Sequence, residues 1–328
     1  MKKSLIALAV LGFAGAAMAQ SSVTLYGVAD AGVGKIKSQT YDPIKGKLGG
    51  NNDRSEKTEF ISASTMNNAT SRLGVRGVED LGGGLKAGFN FETGIDLDDG
   101  AQASSGNTMW GRQANLWLGG NWGTVKLGRQ FTPSYLATAA YDLTAVGTAV
   151  ANYSALANTY AYAGAGSRAS SAFAYMTPNF GGFTAAAAYV TKRDSGGDKD
   201  SWDVGLTYNN GPIGAGLSVN KIANSKTNYQ VGGKYNFGNF AVAASYNEAS
   251  NQAELVRRGY GLGVGFNVGA FGLVVDLTRD TKNEWTGKKY TNGVAELKYA
   301  LSKRTFVYGA FLRLDDTNNY GIGVRHNF

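Results

Sequence analysis

The sequence predicts an all-β chain: a 16-stranded antiparallel transmembrane β-barrel with an inward-folded third loop. Three observations lead there. Along 260–268 every second residue is apolar (Tyr260, Leu262, Val264, Phe266, Val268), with Gly261, Gly263, Gly265 and Asn267 between them. A period of two sends the two sets to opposite faces of a strand. An apolar face backed by small or polar residues suits a closed barrel with lipid outside and water inside. Aromatic residues also gather at strand ends, as in Phe183 and Tyr189, Trp202 and Tyr208, Phe240 and Tyr246. That distribution fits two interfacial girdles, whereas a soluble sandwich has no reason to place rings at both ends of its strands. Finally, the chain has no cysteine. A fully paired cylinder holds an exported chain together without disulfides because it leaves no free edge.

The elements follow in order. Met1-Lys2-Lys3, an apolar run from Leu5 to Ala16 and Ala17-Met18-Ala19 have the layout of a cleaved secretory signal peptide. The run is shorter than the roughly 20 residues of a spanning helix, so a retained anchor is the lesser reading. Residues 1–19 are expected to leave, and 20–328 to form one barrel domain. Short turns lie at 80–84, 119–123, 178–182, 209–212, 237–239, 269–272 and 301–304, all but the last carrying glycine or asparagine. These residues supply the positive φ angles of tight hairpins. Longer polar connections lie at 36–57, 96–109, 131–167, 192–200, 221–226, 247–257, 282–289 and 315–318. Residues 58–66 are open between an extra hairpin arm and the first loop. Seven turns and eight loops join sixteen strands, with both termini on the short-turn side.

Alternation assigns the faces. Outward sets are Leu85/Ala87/Phe89/Phe91, Trp202/Val204/Leu206/Tyr208, Phe240/Val242/Ala244/Tyr246, Leu273/Val275/Leu277 and Phe306/Tyr308/Ala310/Leu312. The opposite phase brings Arg72, Arg76, Lys86, Lys126, Arg168, Lys234, Lys298, Arg313 and Arg325 to the lumen, against Asp30, Glu92, Asp203, Asp276 and Glu296. Nine basic groups against five acidic ones bias a water-lined passage toward anions. The formal charge of +8 falls to +6 when Lys2 and Lys3 leave. The basic residues are scattered singly among strands, so nucleic acid is not a predicted partner. Mean hydropathy of −0.21 looks soluble, but barrel strands evade that test because half their residues face water.

No enzyme chemistry is predicted. The single histidine, His326, has no metal-ligand spacing around it, and neither a Gly-x-Ser-x-Gly elbow nor a phosphate loop occurs. No cofactor or metal is expected. The connection 131–167, about 35 residues long, is too long for an idle loop. Asp142 is its only acid, and Leu136, Leu143, Val146, Val150 and Leu156 make it apolar enough to pack against something. Folding back into the barrel would narrow the passage at mid-height; display at the surface is the alternative.

The chain resembles the trimeric general diffusion porins of Gram-negative outer membranes over its whole mature length. The fragments that carry the resemblance are Ser22-Val-Thr-Leu-Tyr-Gly-Val-Ala-Asp30, Ser71-Arg-Leu-Gly-Val-Arg-Gly-Val-Glu-Asp-Leu-Gly-Gly-Gly-Leu85 and Gly111-Arg-Gln. Gly123-Thr-Val-Lys-Leu-Gly-Arg-Gln130, Tyr175-Met-Thr-Pro-Asn-Phe-Gly-Gly-Phe183 and Gly321-Ile-Gly-Val-Arg-His-Asn-Phe328 complete the set. The resemblance implies a third loop folded in as a constriction and a homotrimer among outer-membrane lipids, exported through the periplasm. It also implies a terminal aromatic, Phe328, read by the outer-membrane assembly machinery. An arginine ladder facing the third loop maps by motif onto Arg72, Arg112, Arg129 and Arg168. Strand phase places Arg72 and Arg168 inward but leaves Arg112 and Arg129 in phase with outward residues, a conflict that a bulge near the rim would reconcile. The function expected is passive diffusion of small hydrophilic solutes and inorganic ions with weak anion selectivity. Alternatives are a substrate-specific outer-membrane channel, which would need an aromatic path along the lumen, and a surface adhesin or structural barrel with a plugged lumen.

Overall fold

The computed structural model describes residues 21–36, 41–42, 47–48, 58–103, 108–145, 151–152, 165–191, 199–315 and 317–328. The predicted signal peptide and much of the first loop lie outside them. The chain runs β1 (Ser22–Lys35), β2 (Tyr41–Asp42), β3 (Lys47–Leu48), β4 (Glu59–Ser62), β5 (Arg72–Gly82), β6 (Leu85–Gly94), β7 (Gln113–Gly120) and β8 (Gly123–Phe131). A helix, α1 (Pro133–Tyr141), follows, then β9 (Arg168–Met176), β10 (Phe183–Val190), β11 (Ser201–Asn210), β12 (Ile213–Lys221) and β13 (Asn228–Asn236). The rest are β14 (Phe240–Ser250), β15 (Val256–Val268), β16 (Phe271–Asn283), β17 (Thr291–Ala300), β18 (Thr305–Leu314) and β19 (Thr317–Asn327).

From β5 to β19 every strand pairs antiparallel with the next, and β1 closes the ring by pairing with β19 on one edge and β5 on the other. β1 together with β5 through β19 makes sixteen wall strands, the predicted number. The seam is completed at the turn side, where the Gly27 N–H donates to the Phe328 carbonyl (3.0 Å) and the Phe328 N–H to the Gly27 carbonyl (3.1 Å). A Cβ on Gly27 would stand 2.3 Å from the Phe328 ring, so this close approach requires glycine.

The alternation in β15 is borne out: Tyr260, Leu262, Val264, Phe266 and Val268 are 41–67 % exposed on the outer face, where hydrocarbon replaces water. Outward rings pair across strands at both rims, Phe183 with Tyr208 and Phe271 with Tyr299 near the turns, Tyr246 with Tyr260 near the loops. These are the predicted girdles. The inner face of the same strands is buried and polar, with Asp203, Ser218, Asn220, Asn228 and Gln230 on β11–β13.

β18 corrects one assignment. Val307 and Phe311 are the exposed residues, while Tyr308, Ala310 and Leu312 are buried and Phe306 packs beside them, all on the lumen side. They were read as outward because they are apolar. Their partners are Ile61 on β4 and Met66 in the β4–β5 connection, which form a small internal core with Val294 and Ala151. The shift of phase also moves Arg313 to the outer face, where its guanidinium donates to Asn318 at 3.4 Å. Without it the set predicted inward stands at eight basic groups against five acids.

Candidate functional site

Two structures face the lumen from different walls. On β11–β13 lies α1, the start of the third loop. Thr132 caps it by accepting from the Tyr135 N–H at 3.2 Å, and Pro133 sits in its first turn. Its first turn is clamped to the wall. Asp203 accepts from the Ser134 N–H (3.0 Å) and hydroxyl (2.6 Å), Gln230 donates to the Ser134 carbonyl (2.6 Å), and Asn220 donates to the Ser134 hydroxyl (2.9 Å). A carboxylate at a helix N-terminus is also favoured by the helix dipole. Glycines make the room. A Cβ on Gly205 would meet the Pro133 carbonyl oxygen at 2.7 Å, one on Gly214 the Ala140 oxygen at 2.3 Å, and one on Gly216 the Ala137 oxygen at 2.0 Å. Tyr141 lies over Gly232, and burial holds its phenol far above the ordinary value, so it stays neutral there. Beyond the helix, the described residues Ala151 and Asn152 reach the β1–β18 side of the barrel.

On β5–β9 lies a cluster of arginines. Arg112 Nε meets Glu92 Oε1 at 2.7 Å, and Arg72 Nε stands 3.6 Å from Glu92 Oε2. Tyr26 donates to the same carboxylate at 3.0 Å and to Asn90 at 2.9 Å. The Arg168 guanidinium lies over the Phe131 ring, 4.5 Å from its centroid, and Phe131 stacks on Tyr135 of α1 at 4.8 Å. Arg168 is also close enough to act electrostatically on Glu92. Two guanidiniums therefore share one carboxylate with the third, Arg168, nearby over Phe131, and Tyr135 joins that cluster to the third loop.

The structure thus brings Arg72, Arg112 and Arg168 together. Arg112 does so although its phase is outward, because it precedes β7 and ladder alternation does not bind it. Arg129 stands where the β8–β9 register shifts, between Gly128 and Gln130. It donates to the Gly111 carbonyl (2.6 Å) and the Ser170 hydroxyl (2.7 Å), tying the base of the second loop to β9. Arg76 lies toward the turn side with its guanidinium 5.3 Å from the Tyr26 centroid, and Lys126 is half-buried in phase with Gln130. Asp142 ends α1. Its side chain accepts from the Thr144 N–H at 2.7 Å, and its carbonyl accepts from Lys234 at 3.4 Å. Glu92, already read as an inward acid, is the carboxylate that meets Arg72 and Arg112.

Sequence reasoning missed the Ser134–Asp203 clamp and the helix itself. The Thr132-Pro133 pair was the available signal, a capping residue followed by a proline that is favoured in a first helical turn.

Comparison with known proteins agrees with this architecture. The family model described as Gram-negative porin matches residues 4–327. Outer membrane porin protein 32 of Delftia acidovorans is 36 % identical over 351 residues, covering 99 % of this chain and 93 % of its own. An outer membrane porin protein of Bordetella pertussis is 30 % identical over the whole of both chains. Among solved structures, the anion-selective porin from Comamonas acidovorans superposes with a TM-score of 0.71 at 27 % identity, over 94 % of this chain and 100 % of its own. From its closed sixteen-stranded wall to its family match over nearly the full length, the chain belongs to the Gram-negative porin family and is an outer-membrane diffusion channel.

Proposed function

We propose that the arginine cluster on β5–β9 and the third loop opposite it form the constriction of a water-filled channel with weak anion preference, working as a homotrimer. The carrying observation is the meeting of Arg72 and Arg112 on the carboxylate of Glu92, with Arg168 seated over Phe131 where that ring stacks on Tyr135 of the third loop. Fixed groups of net positive charge at a narrow place favour passage of the counter-ion. The anion-selective porin among the structural neighbours supports the same sign, and a trimer form among them supports the assembly state. The solutes would be small, hydrophilic and passively carried.

The test is a planar bilayer under a KCl gradient. Reversal toward the chloride potential, with current steps in threes, is the expected result. Arg72→Gln with Arg168→Gln should move the reversal potential toward potassium by the equivalent of a few-fold in permeability ratio, leaving the channel open. An unchanged reversal potential in that double variant would overturn the eyelet assignment. Saturable current blocked by one solute would instead favour a substrate-specific channel.

Phe328 carries a separate expectation. Its ring packs against Gly27 and its backbone clasps the seam. If the assembly machinery also reads it, Phe328→Ala should lower the outer-membrane yield in cells more than it lowers refolding into detergent in vitro. Equal losses in both would assign Phe328 to the seam alone.

A further inference from the structure

The second wall strand of this barrel is interrupted. β4 pairs with β1 from Gly34 to Ala31, and β5 resumes the same edge at Val28. Between them β1 has only Ala29 and Asp30, whereas the other side has 63–71. Those residues leave the wall and enter the lumen, and Ser71 replaces the missing ladder by accepting from the Asp30 N–H (2.8 Å) and donating to its carbonyl (3.0 Å).

The excursion is held by buried polar groups. Asp30 accepts from Asn67 (3.0 Å), from Tyr308 (2.6 Å) and from the Ala69 N–H (2.8 Å). Asn68 donates to Glu296 (2.7 Å) and accepts from Arg325 (2.6 Å). Asn67, Asn68, Asp30 and Glu296 are all at most 1 % exposed. A network so satisfied is rigid, since opening it would strand several buried groups at once. Its other side touches both parts of the proposed constriction. The Thr70 carbonyl accepts from Arg72 Nη1 at 3.1 Å. Asn152, in the third loop beyond α1, donates from its backbone to the Asn68 carbonyl (3.3 Å) and from its side chain to the Ser64 carbonyl (3.1 Å).

We infer that the excursion 63–71 is a strut that sets the aperture: it aims the Arg72 guanidinium through Thr70 and anchors the third loop beyond its helix through Asn152. The loop is thus fastened at two places, by Ser134 to the β11–β13 wall and by Asn152 to the strut. Asn152 and Asn68 are positioning residues, since neither is placed among the arginines. The inference rests on the constriction proposed above.

Two variants and a cross-link test it. Asn152→Ala should raise single-channel conductance by roughly 1.5-fold with noisier open current, because at the strut the loop then keeps only its backbone bond to the Asn68 carbonyl and loses the side-chain bond to Ser64. Asn68→Ala should do the same and also weaken anion preference, as the strut no longer holds Thr70 under Arg72. The chain has no cysteine, so Ser64→Cys with Asn152→Cys gives a single possible disulfide. Oxidised, this pair should conduct like the parent; reduced, like Asn152→Ala. Conductance, noise and selectivity equal to the parent in Asn152→Ala and in both redox states would overturn the strut. If the Arg72/Arg168 double variant still shifts the reversal potential, that failure would leave the eyelet assignment intact. Asn68→Ala is scored only on protein that keeps the heat-modifiable mobility of a folded barrel, and Asn152→Ala with the cross-link decides the matter should it not fold.

Discussion

Gly216→Leu is expected to cut single-channel conductance severalfold while leaving the barrel wall intact. The Cβ alone would stand 2.0 Å from the Ala137 carbonyl oxygen and 2.6 Å from its carbon. Those atoms are helix backbone and cannot swing aside, so α1 must move off the β12 wall, and the only direction open to it is toward the pore axis. The move breaks the contacts of Ser134 with Asp203, Asn220 and Gln230. Lumen water re-satisfies part of them, so each costs about 0.5–1.5 kcal/mol rather than the full desolvation penalty. Gly265→Ala is the matched control, on the same inner face but with its nearest neighbour 3.7 Å away, an ordinary contact. It should conduct like the parent. A folded Gly216→Leu barrel with parental conductance would mean that the third loop does not lie in the current path.

The difference between those two glycines also marks how far the sequence could be read. The wall was legible because its outer face meets lipid everywhere, which imposes the strict alternation of β15, and because six of the seven tight turns carry glycine or asparagine. The lumen was less legible because it is not uniformly wet. β18 turns Tyr308 and Leu312 inward to cover Ile61 and Met66, so its apolar phase is inverted, and no property of residues 305–314 alone reveals that. Arg112 evaded the phase argument by lying outside the strand, and Arg129 by standing at a register shift, where a bulge was anticipated. The strut was invisible for another reason. Asn67 and Asn68 look like ordinary turn residues, and the groups that explain them, Tyr308 and Arg325, are 240 or more positions away. The arginines themselves were legible by motif, while their shared carboxylate required the fold.

That carboxylate governs the second large effect. Glu92→Gln removes the one acid among Arg72, Arg112 and Arg168 and keeps the shape and hydrogen-bonding reach of the side chain. Two unit charges about 5 Å apart interact by roughly 1 kcal/mol in water and about 3 kcal/mol at an effective dielectric of ~20. A partly wet constriction lies between but near the water limit, so the chloride-to-potassium permeability ratio should rise several-fold to about tenfold. Arg112 bears most of the local consequence, since its 2.7 Å bond to Glu92 becomes neutral-acceptor in character. Conductance at low salt should rise for chloride, and the difference should shrink above about 1 M KCl as screening shortens to ~3 Å. Combining Glu92→Gln with Arg72→Gln restores the net charge of the parent cluster and should return the reversal potential close to its parental value. Full additivity of opposite shifts would mean that selectivity responds to summed charge, as a wide wet pore requires. A double variant that stays as anion-selective as Glu92→Gln alone would show that Arg72 is not sensed by the permeating ion, and the constriction would then have to be assigned to Arg112 and Arg168.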